Sequence, residues 1–160
     1  MTALALLVVT GVLACGGGPP AAVEATTAIA GEAIRQTDLE LARAITERSD
    51  ALLDLLRARV AEGDLDGPGA LEAWEVGIRP LGTAQRAVRA AAASWVALDN
   101  GLLAWEGGDD GRAWLAAATC LAVALDGILV ALDAADVDAP RELRRVVEAL
   151  ATWEGSTCRT

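Results

Sequence analysis

The chain contains no histidine, lysine, tyrosine or phenylalanine, and all 13 of its basic residues are arginine. Each absence removes a class of chemistry. Without histidine there is no Ser/His or Cys/His nucleophile pair, no imidazole zinc site and no imidazole pH switch. Without lysine there is neither a Schiff base nor a P-loop lysine. Basic charge is also scarce, since 23 acidic residues leave a formal net charge of −10. Nucleic acids and anionic lipid headgroups call for a basic footprint, so this balance argues against both. What remains for chemistry is carboxylate, Arg, three Cys and five Trp, in 160 residues that suit one domain. No metal or cofactor is implied. The chain reads as non-catalytic.

Charge is missing altogether from the side chains of the first 23 residues. Within that stretch Ala3 to Ala14 forms an apolar run, closed by Cys15-Gly16-Gly17-Gly18-Pro19-Pro20. As a helix this run reaches about 18 Å, short of the roughly 30 Å hydrocarbon core of a bilayer. Its length is that of a signal-peptide apolar region. Val12-Leu13-Ala14-Cys15 resembles the lipobox of bacterial lipoproteins. That resemblance, confined to the start of the chain, implies removal of residues 1–14 and acylation of Cys15, with palmitate among the chains. It also implies attachment of the mature protein to a membrane through that lipid. Gly16 stands where Asp would signal inner-membrane retention, so the resemblance points to the periplasmic face of the outer membrane. Residues 15–22 are then a lipidated Gly/Pro/Ala tether. In an exported protein the two remaining cysteines, Cys120 and Cys158, are candidates for one disulfide. In the chain-entropy model that closure would stabilise by about 4 kcal/mol and pin a tail at 156–160 that is otherwise free to fray.

From Val23 onward the pattern is helical. Val23, Ala30, Ile34, Leu41, Ile45, Leu52 and Leu56 share a narrow stripe at 100° per residue. Glu32, Glu40, Arg43, Glu47, Asp50, Asp54 and Arg57 lie opposite, which makes a long amphipathic helix ending near Gly63. The i,i+4 pair Arg43–Glu47 and the i,i+3 pair Asp54–Arg57 fall on that outer side. The segment 62–69 is dense in Gly, Asp and Pro and reads as a turn between helices rather than a calcium loop, because the distal ligands are missing. In the second helix Trp74, Ile78, Leu81, Gln85, Val88, Ala92, Trp95, Asp99 and Leu102 step by four and three, a heptad seam with two polar interruptions. Pro80 is expected to kink this helix or begin it anew, and Asn100-Gly101 to offer a possible turn.

After a break at 107–111, with Asp109 or Asp110 as cap, residues 113–132 carry one charge, Asp126. Two readings compete for this segment. Eight Leu, Ile and Val residues favour membrane insertion by about 0.3 to 0.6 kcal/mol each, and a central Asp opposes it by about 2.5 to 3.5. The near-cancellation favours a central helix buried on all sides, with a transmembrane span of a pore or channel accessory as the alternative. A buried Asp126 would be a functional candidate, and Gln85 and Asp99 on the seam could line the same polar site. A last helix follows Asp136 or Asp138 and Pro140, with Leu143, Val146, Val147 and Leu150 as its stripe and Trp153 closing the pattern before Gly155. The expectation is an all-α, antiparallel bundle of about four helices over 23–155. It is lipid-anchored in the cell envelope, of bacterial or phage origin, and acts by binding another protein.

Overall fold

The computed structural model describes residues 19–151, and within them four α-helices are joined by short turns, with no strand among the described residues. The lipobox-like segment, Cys15, Trp153 and Cys158 lie outside the described residues. Helix α1 spans Ala21–Ala61, α2 Gly67–Glu106, α3 Arg112–Ala134 and α4 Arg141–Ala151. Each packs against its neighbours in chain order, and α4 closes the ring against α1. The result is the expected four-helix antiparallel bundle.

The helix ends follow from a repeated backbone device. After α1, Gly63 takes φ +79°, its N–H bonds to the Val60 carbonyl, and the Asp64 N–H reaches the Arg59 carbonyl at 3.0 Å. The same pair of bonds recurs after α2 at Gly108 (φ +108°) and Asp109, and after α3 at Asp136 (φ +54°) and Val137. These are Schellman closures, which satisfy the last carbonyls of a helix through one left-handed residue. Asp136 performs a task that favours glycine. At the start of α2, Asp66 is the cap: its Oδ1 accepts the Gly69 N–H at 2.8 Å, ahead of Pro68 in the first turn. The 62–69 segment is thus a helix-to-helix turn.

The α1 stripe packs as its spacing indicates. Val23, Ala30, Ile34, Leu41 and Leu56 are buried, Ile45 and Leu52 half-buried, and the seam positions between them are filled by buried Thr27 and Thr37. Their hydroxyls donate to the carbonyls four residues back, Val23 at 3.0 Å and Ala33 at 2.7 Å. On α2 the seam differs from expectation. The buried residues are Leu81, Ala84, Val88, Ala91, Leu98, Gly101, Leu102 and Trp105. Relative to the predicted seam, three of its positions move one residue earlier, so Ala84, Ala91 and Leu98 face the core. Gln85, Ala92 and Asp99 fall on its half-buried shoulder. The polar interruptions vanish because Ala84 takes the place of Gln85 and Leu98 that of Asp99 on the seam.

Pro80 does not begin the helix anew, and Asn100-Gly101 is not a turn. The helix continues through Pro80 and through Asn100-Gly101. Gly101 is buried, and a Cβ there would stand 2.8 Å from the backbone N and Cα of Trp114. The glycine serves a close helix crossing rather than a turn. Helix α3 also departs from expectation. Its N-cap is Gly111, in the left-handed region, although Asp110 accepts the Arg112 N–H at 3.1 Å. It is not buried all round. Trp114, Ala118, Leu121, Leu125, Ile128 and Leu132 face the core, while Ala116, Val123, Asp126, Gly127 and Val130 face outward. Helix α4 buries Leu143, Val146 and Leu150, with Val147 half-buried.

Candidate functional site

The lengths of the helices divide the molecule unequally. By about 1.5 Å per residue, the 41 residues of α1 and the 40 of α2 extend about 60 Å, whereas the 23 of α3 reach about 35 Å. The shared core stops at Leu41 on α1 and Leu81 on α2. Beyond it the two helices continue to their connecting turn as a hairpin, and only Leu56 there is buried. This projecting arm spans roughly residues 49–80.

Inside the arm, Leu52 packs into the space left by Gly77, where a Cβ would meet its Cδ2 at 2.6 Å. Leu53, Trp74 and Ile78 are half-buried beside it. The Trp74 indole N–H is shielded from solvent and, among the described residues, has no acceptor. Leu55, Val60, Leu71 and Val76 stand in water, with exposures of 41% to 59%. Between 49 and 80 lie seven Asp and Glu against three Arg, a net −4 of the chain's −10. Asp54 and Arg57 pair at 3.2 Å on the exposed side. Among the described residues Arg43 and Glu47 do not form the expected i,i+4 pair; both line the groove at the root of the arm instead.

That groove encloses about 470 Å³ between α1 and the α3–α4 connection. Glu40, Arg43, Glu47, Asp136 and Asp138 border it, with Leu81 and Val137 at its floor. Arg48 spans it, its guanidinium 3.5 Å from the Ala135 carbonyl and 3.8 Å from the Asp136 carboxylate. The contact ties the α3–α4 connection to α1 where the arm leaves the bundle.

The polar site expected from Gln85, Asp99 and Asp126 does not assemble. Asp126 is exposed on the outward face of α3, beside Gly127, which has open space around it. Gln85 and Asp99 sit four turns apart on α2, about 21 Å along the axis, and cannot share a pocket. Cys120 is half-buried on α3. Among the described residues no cluster of three or more His, Cys, Asp or Glu could hold a metal ion.

At the opposite end of the bundle lies a buried polar contact that spacing did not reveal. Trp95 Nε1 donates to the Thr27 carbonyl at 2.9 Å, and Trp114 Nε1 donates to the Thr27 hydroxyl at 2.9 Å. Two indoles from different helices thus meet one threonine of α1. Gly31 lets the Trp95 ring lie against α1, since a Cβ there would fall 2.7 Å from it. Trp105 packs at a tilt on Trp114, with ring centroids 6.4 Å apart. The sequence signal for this site was weak: Thr27 is one of two threonines on the α1 seam, and spacing does not tell them apart. It is a structural lock, since all its polar groups are occupied.

No protein-family model matches the chain, and no curated protein or solved structure is detectably similar to it.

Proposed function

We propose that this protein is a non-catalytic, lipid-anchored lipoprotein of the bacterial envelope that acts by binding another protein. The observation that supports it best is the order of parts along the chain. The lipobox-like Val12–Cys15 and its Gly/Pro tether immediately precede α1, whose first turn begins at Ala21. The arm lies at the far end of that helix, so a membrane at Cys15 would hold the arm's root about 40 Å and its tip about 60 Å away along α1. An anchor before α1 and the exposed Leu55, Val60, Leu71 and Val76 of the arm would then stand at opposite ends of that helix. That arrangement suits a protein reaching from a membrane to a partner. Residues 1–14 act as a cleaved signal, and the periplasmic face of the outer membrane is the site of attachment. Cys120 and Cys158 form a disulfide that fastens the tail to α3. The all-arginine, alanine-rich composition suits an adaptor of a bacterial or phage envelope system.

A second reading, a transmembrane α3 in a pore or channel accessory, draws on the length and apolar character of that helix. Its outward face carries Asp126, however, and a carboxylate at mid-bilayer opposes insertion by about 2.5 to 3.5 kcal/mol. Carbonate extraction of membranes separates the two readings when the wild type is compared with a chain whose residues 1–15 are replaced by a conventional cleavable signal, because Cys15→Ala alone would keep the apolar 3–14 run. The lipid anchor requires fatty-acid labelling of the wild type, none of Cys15→Ala, and release of the replaced chain into the soluble fraction. Retention of the replaced chain by the membrane would overturn it in favour of the spanning helix. For the disulfide, unfolded and unreduced protein from the periplasm should titrate without the Cys120 and Cys158 thiols; two reactive thiols would exclude the bridge.

A further inference from the structure

The arm has a second, unfilled side. Its seam is made by Leu52 and Leu56 on α1 facing Trp74 and Gly77 on α2. Leu53 and Val60 are seven residues apart and form one stripe beside the α1 seam; Leu71 and Ile78 form the matching stripe beside the α2 seam. Both stripes are offset from their seams in the same rotational sense, and in an antiparallel pair that places them on the same side of the hairpin. Val76 is offset the other way and lies on the reverse side. The two stripes border a shallow apolar trough with Trp74 between them, where Leu71 is 59% and Val60 41% exposed. Asp50 flanks it on α1 and Glu72 and Glu75 on α2, while Glu62, Asp64 and Asp66 crowd the turn at its end.

We propose that this trough docks one basic amphipathic helix of a partner protein. The stripe spacing is that of a helix-in-groove site, in which a third helix supplies the apolar residues that a two-helix hairpin lacks. The charge selects among occupants. Seven acids against three Arg in this segment oppose a second copy of the same acidic arm and an anionic lipid surface, and attract a helix with Lys or Arg flanking its apolar face. The Arg57 charge is already met by Asp54. The inference rests on the protein-binding half of the proposed function and is independent of the lipid.

The test uses the full chain as purified, in phosphatidylcholine nanodiscs where it carries lipid and in plain buffer where it does not, with the matching blank. The probe is an 18-residue synthetic helix bearing Leu at a and d and Lys elsewhere. The peptide should bind, and Trp74→Phe should remove most of the accompanying change in tryptophan emission. Val60→Ser with Leu71→Ser should weaken binding at least tenfold. Glu72→Gln with Glu75→Gln should weaken it several-fold at low salt and little at high salt. Val76→Ser, on the reverse side, should leave the affinity within twofold. The proposal is overturned if the peptide does not bind, or if a peptide with Glu in place of Lys binds equally well. It is also overturned if Val76→Ser is as damaging as the double serine variant. A dimer of the chain that Leu71→Ser dissociates would assign the trough to a second copy instead. None of these outcomes depends on acylation of Cys15, so failure here leaves the anchor standing, and the reverse.

Discussion

At the residue scale the buried threonines distinguish two kinds of polar group. Thr27 and Thr37 are equally buried on the same seam, and each donates to the carbonyl four residues back. Only the Thr27 hydroxyl also accepts, from the fully buried Trp114 indole. Thr27→Val therefore strands a buried donor and should cost about 1–3 kcal/mol, whereas Thr37→Val removes one bond from a carbonyl that keeps its helical partner and should be nearly neutral. Paired denaturant titrations check this, and equal effects would refute the lock. Among the charges, Glu32 stands out: Arg35 donates to both of its oxygens at 2.6 and 2.7 Å and Gln36 adds a third bond at 2.9 Å. These bonds, chiefly that from Arg35, lower its carboxyl pKa to about 2. A group depressed in the folded state contributes above its unfolded pKa and loses that contribution as pH falls through the folded value, here between about 4.5 and 2. Both side chains are exposed, so the effect on stability is small and the observable is the titration itself. Carbon-detected NMR should place the Glu32 midpoint near 2, and Arg35→Ala should return it toward the ordinary carboxylate range.

At the scale of the element, the arrangement is set by where glycine and alanine replace larger residues. Gly101 and Gly127 both sit inside helices, yet only Gly101 meets backbone, 2.8 Å from Trp114, while Gly127 has nothing within 4 Å. Alanine gains roughly 0.5–1 kcal/mol of helix stability at either position. At Gly127 that gain should appear as raised stability. At Gly101 the clash should outweigh it and leave a net loss of about 1–3 kcal/mol, because helix backbones cannot yield as a side chain can. Thermal unfolding of the two variants measures the contrast, and stabilisation of both would show that α2 and α3 do not cross so closely. The register of α2 carries the same lesson. The apolar stripe of α1 was legible in the sequence because Ile, Leu and Val mark it. On α2 the large residues Trp74, Ile78, Leu81, Val88, Trp95 and Leu102 left two adjacent seams almost equally plausible. Ala84, Ala91 and Leu98 decide between them, and alanine is too weakly apolar to announce a core position before its neighbour is known.

At the scale of the whole molecule, stability should be distributed as unevenly as burial. The bundle half encloses Trp114, Leu121, Leu125, Ile128 and Leu143 without measurable exposure, and the arm buries only Leu56. Opening free energies follow local burial, so amides of 49–60 and 70–80 should exchange well before those of 84–105 and 114–132. Hydrogen exchange read by mass spectrometry tests this, and equal protection along α1 would show that the arm is held by contacts beyond its own seam. The arm was not visible in the sequence, because the α1 periodicity runs on through Leu52 and Leu56. The shortness of α3 and α4 was legible in the breaks at 107–111 and before Pro140; what the sequence could not show is where along α1 and α2 the short helices pack.

The sequence by itself determined the helical class, the number of helices and the turns between them. Those depend on local terms: the spacing of large apolar residues, Gly and Pro at the breaks, and caps such as Asp66. Its missing His and Lys also closed off whole classes of chemistry before any fold was known. Only the tertiary structure decided which face of α2 is the seam, that Asp126 stands in water, that α3 has an outward side, and that the paired indoles meet at Thr27. Those outcomes depend on how closely helices distant in sequence approach one another. That distance is set by contacts such as Gly101 on Trp114, where a missing side chain carries the information.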